Sequence, residues 1–69
     1  MNTTTTDVRR TIAAVQEAFR QRRLATGESR LHDHYLELNL LEPAHECRAR
    51  MLAHLRAACH EWRTVLGRE

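Results

Sequence analysis

Residues 31–42 read LHDHYLELNLLE, and their conformation decides the fold. As a strand, Leu36, Leu38 and Leu40 would share one face and His32 would stand beside His34. As a helix, Leu31, Tyr35 and Leu38 share a face, Leu36 and Leu40 lie nearly opposite, and the two histidines diverge by about 200°. Composition favours the helix. Between Gly27 and Arg63 there is no Val, Ile or Thr, the residues that suit a strand, whereas Leu and Glu suit a helix. Ser29 is available to cap it.

Outward from this stretch, the N-terminal side begins with a polar run, residues 1–6, expected to be disordered up to Asp7, a candidate N-cap. Val8, Ile12, Val15 and Phe19 then recur within about 60° on a helical wheel. That stripe predicts the buried face of a first helix. Arg22 and Arg23 end it, and Thr26-Gly27 supplies a stop, because glycine favours the left-handed residue after a helix. On the C-terminal side, Pro43 restricts Glu42 and suits the first turn of a new helix. Cys47, Met51, Leu55, Ala58, Trp62 and Val65 form its seam, and Leu52, Cys59 and Leu66 widen the apolar arc to about 140°. Gly67 ends it. The spacing therefore predicts an all-α, hairpin-like domain of three helices, 7–25, 30–41 and 43–66, within a single helical unit spanning 7–69.

Sixty-nine residues are few for a self-sufficient core. A middle helix with leucines on two opposed faces needs cover on both sides, and one neighbour within the chain covers one. Completion by oligomerisation is expected, with Leu36, Leu40, Met51, Leu55 and Trp62 as anchors. Arg48, inside the last apolar arc, is suited to pairing across such an interface with an acid such as Glu37 or Glu42. Cys47 and Cys59, twelve residues apart on one helix, stand about 18 Å from each other, too far for a disulfide, and are read as small buried hydrophobes. The start shows no apolar leader and no run reaches membrane-spanning length, so a cytoplasmic setting with reduced thiols is expected.

All eleven basic residues are arginine. Residues 1–30 hold six of them against three acids, a net of +3, and residues 31–69 hold five against six, a net of −1. Arg20, Arg22, Arg23 and Arg30 are candidate phosphate contacts, the basis of an alternative reading as a DNA-associated regulator. Glu42 and His45 have the spacing that helical metal sites use, and with His32 and His34 they are the weak candidates for a metal-binding oligomer. No HExxH, CxxC or glycine-rich phosphate loop occurs. No catalytic residues and no cofactor are expected. The reading is a non-enzymatic assembly, adaptor or regulatory module, its partner itself or another protein, with nucleic acid less favoured and no membrane.

Overall fold

The computed structural model describes residues 3–67 of the chain, with side chains from Asp7 onward. LHDHYLELNLLE is divided rather than uniformly helical. Residues 31–37 complete α1, Thr3–Glu37, residues 38–40 turn, and Leu41 opens α2, Leu41–Leu66. Asn39 makes the turn. It takes φ 59°, a left-handed value that asparagine tolerates better than other residues with a side chain. The amide of Leu40 donates to the carbonyl of Tyr35 at 2.8 Å and that of Asn39 to Leu36 at 3.0 Å. This is the six-to-one and five-to-two pattern of a Schellman cap. At the other end Gly67 closes α2 with φ 70°, donating to the carbonyls of Arg63 and Thr64.

The three expected helices are thus two. The break foreseen at Glu42–Pro43 lies earlier, at Asn39. Pro43 is the third residue of α2, where no intrahelical partner awaits its missing N–H. The stop foreseen at Thr26-Gly27 does not occur, and Ser29 lies inside α1 rather than capping a helix. Glycine costs a helix interior about 1 kcal/mol, and the packing of α1 on either side of it outweighs that. Ala25 is buried, Glu28 and His32 are half-buried, and Thr26 satisfies its hydroxyl locally by donating to the carbonyl of Arg22 at 3.0 Å. The helix also begins at Thr3, so Asp7 lies within it. Of the expected tail, Met1 and Asn2 lie outside the described residues.

The two helices pair antiparallel in a rod of 57 × 18 × 13 Å. Their seam is Ala14, Ala18, Gln21, Ala25, Glu28, His32 and Tyr35 on α1 against Ala44, Cys47, Met51, His54, Ala58, Glu61 and Val65 on α2. Alternating steps of three and four residues mark the heptad of a left-handed coiled coil. Among the described residues only Ala14, Ala18, Ala25, Ala44, Cys47 and Ala58 are buried. Such small side chains let the axes approach toward the short end of the usual ~8–10 Å range. The apolar stripe expected to be the inner face of the first helix is therefore not inside: Val8, Ile12 and Phe19 are exposed. Charge follows the elements and not the halves, since α1 and α2 each carry a net of +1, six arginines against five acids and four against three. Among the described residues no helix is long and apolar enough to cross a membrane.

Candidate functional site

Beside the seam, one flank of each helix presents a second row. On α1 it runs Val8, Ile12, Val15, Phe19, Arg22, Thr26, Ser29, Asp33 and Leu36, in steps of three and four. On α2 it runs Leu41, His45, Arg48, Leu52, Leu55, Cys59, Trp62 and Leu66. Antiparallel pairing brings the two rows to the same side of the hairpin. The ring of Phe19 meets Trp62 edge-on, centroids 5.7 Å apart at 87°, the favoured aromatic geometry. A shallow groove between Arg22, Thr26 and Ser29 on α1 and Met51 and Leu55 on α2 continues the contact toward the turn. Val8 and Ile12 remain 51% exposed, Phe19 46% and Leu66 67%.

The opposite flank is largely polar. Glu17 accepts hydrogen bonds from Nε of Arg20 at 2.8 Å and from the amide of Gln21 at 2.8 Å. These two partners, Arg20 first, hold the Glu17 carboxyl down at about 2. Farther along, Nε of Arg50 donates to Glu28 at 3.0 Å, and its terminal nitrogen donates to Sγ of Cys47 at 3.2 Å. The Arg50 hydrogen bond lowers the Glu28 carboxyl pKa, while burial raises that of the Cys47 thiol. Nδ1 of His54 lies 2.6 Å from Oε1 of Gln21, so the seam joins the helices by polar contacts as well as by alanines. Leu24 and Leu31 stand exposed on this side, seven residues apart and without a neighbouring row.

Of the anchors expected from sequence, Trp62 and Met51 are half-buried along the seam edge of the apolar flank. Leu55 is exposed there, and Leu36 and Leu40 are exposed near the turn. Ile12, Val8, Phe19, Leu52 and Leu66 join them on the surface, although the pattern had assigned the first three to a core. The cue was the alanine heptad, which competes for the inside and fits more closely. Cys59 is exposed on this flank, contrary to the expected burial, whereas Cys47 is buried.

The arginine cluster divides. Arg20 is held by Glu17 on the other side. Arg22, Arg23 and Arg30 make no ion pair among the described residues and surround a shallow concavity with Phe19, Thr26 and Gly27. His32 and His34 diverge as a helix requires: His32 is half-buried on the seam with Nδ1 3.4 Å from Asp33, and His34 is exposed beside Tyr35. Glu42 and His45 are exposed in the first turns of α2. Among the described residues no three His, Cys, Asp or Glu side chains are placed to hold one metal ion. Compared with known proteins, the chain matches no family model, no curated protein and no solved structure.

Proposed function

We propose that this chain is a non-enzymatic assembly module whose apolar flank is covered by a second copy of itself. The observation that carries this reading is the inversion of the core: alanines are buried between the helices while Val8, Ile12, Phe19, Leu52, Leu55 and Leu66 stand a third to two thirds exposed on one side. Together they expose on the order of 500 Å² of apolar surface, the size at which a patch on a monomer becomes functional. With their polar neighbours they approach the ~800 Å² per partner of a specific interface. Completing the burial of each side chain gains about 1 kcal/mol. Over two chains that gain is of the same order as the cost of association, so the complex is a weak, concentration-dependent one rather than obligate.

Sedimentation at several concentrations tests it. The expected mass rises from 8.1 kDa toward twice that as concentration increases, and Ile12→Glu with Phe19→Glu abolishes the rise. A monomer at every concentration would sink the reading.

A second reading is supported by Arg22, Arg23 and Arg30, which line one concavity on the helix surface. They suit contact with nucleic-acid phosphates. Binding to duplex DNA should fall steeply with salt and with replacement of the three by Ala; indifference to both removes it.

A further inference from the structure

Resting on the self-association just proposed, we infer that the two copies lie side by side with their turns at the same end, related by a twofold axis along the hairpin. In that arrangement α1 of one copy packs on α2 of the other, and every neighbour in the resulting four-helix bundle is antiparallel.

The argument is one of register. Within the chain, Phe19 meets Trp62, Gln21 meets His54 and Glu28 meets Arg50, which sets the height of each α2 residue against α1. A twofold axis along the hairpin preserves height. It therefore places Ile12 opposite Leu66 of the second copy, Phe19 opposite its Cys59, and Asp33 opposite its His45 and within reach of its Arg48. Apolar groups meet apolar groups, and the one acid on the flank meets two basic side chains. Asp33 makes no pair with an arginine among the described residues; its contact is to His32 at 3.4 Å. Arg48 likewise has no carboxylate among the described residues.

The competing arrangement, turns at opposite ends and centred on the Phe19–Trp62 contact, also joins the apolar ends. It leaves Leu36 and Leu41, 46% and 55% exposed, uncovered at both tips and places Asp33 and Arg48 beyond the overlap. The side-by-side dimer covers both ends of the flank. Its cost falls on Arg22, the one flank charge with no acid opposite, so Arg22→Leu should tighten the dimer.

The test uses a spin label on Leu38→Cys, at the turn and off the flank, with Cys59→Ala; Cys47 is buried and stays unlabelled. Dipolar spectroscopy should give a separation below about 30 Å, as helices spaced ~8–10 Å apart require. In parallel, Asp33→Arg should weaken the dimer about tenfold, and adding Arg48→Asp should restore it. Doubled mass with labels farther apart than about 50 Å, set by the 57 Å rod, overturns the orientation and leaves self-association standing. So does an Asp33→Arg change without effect. Absence of any dimer defeats the self-association itself.

Discussion

At Gly27 an added methyl group would meet nothing within 4 Å, and the residue lies well inside α1. Glycine there therefore only loosens the helix. Gly27→Ala should raise stability by about 0.5–1 kcal/mol, measured by urea unfolding; a loss would show that the position needs glycine for a contact. Asn39 is the opposite case, because its positive φ is what the turn demands. Asn39→Ala should cost about 1–2 kcal/mol, and Asn39→Gly should cost little or nothing. Ala18 is fully buried against α2. A leucine there must push the helices apart, so Ala18→Leu should destabilise by about 1–3 kcal/mol, read from the same unfolding curves. The helical state of His32 and His34 was legible from composition. The left-handed Asn39 was not, because an asparagine between leucines carries no turn signal as strong as Pro43 or Gly27.

At the scale of the element, α1 offers two inner faces. One is Val8, Ile12, Val15 and Phe19; the other is Ala14, Ala18, Ala25 and the polar residues between them. Hydrophobicity alone selects the first. The second wins because its heptad continues past Gly27 to Tyr35, matching α2 along almost its whole length, whereas the first turns basic at Arg22. Polar contacts hold this register, the ion pair of Glu28 with Arg50 among them. Arg50 lowers the folded pKa of Glu28 from the ordinary 4.5. Its contribution is complete above the unfolded value and is lost as pH falls through the lowered folded value. Stability should decline on acidification below about pH 4, and Glu28→Gln should flatten that limb of the curve. Identical acid limbs in the two proteins would remove Glu28 from the seam's energetics.

For the whole molecule, a hairpin with an alanine seam is thin, and its large side chains have no inside to occupy. The flank is therefore the property of the molecule rather than of either helix. Glutamate at Leu55 alone, midway along it, should weaken association while leaving the far-ultraviolet helical signal of a concentrated sample unchanged. Loss of helix in parallel with mass would show that the hairpin folds only as a complex.

The chain by itself determined that the fold class is all-α, that large apolar residues lie on more than one helix face, and that Gly67 ends the last helix, since propensity and period are local properties. Where the chain reverses, and which of two faces goes inside, were settled only by the tertiary structure. Both depend on how closely two helices approach, and that distance is set by the smallest side chains in the contact, not by the most hydrophobic ones.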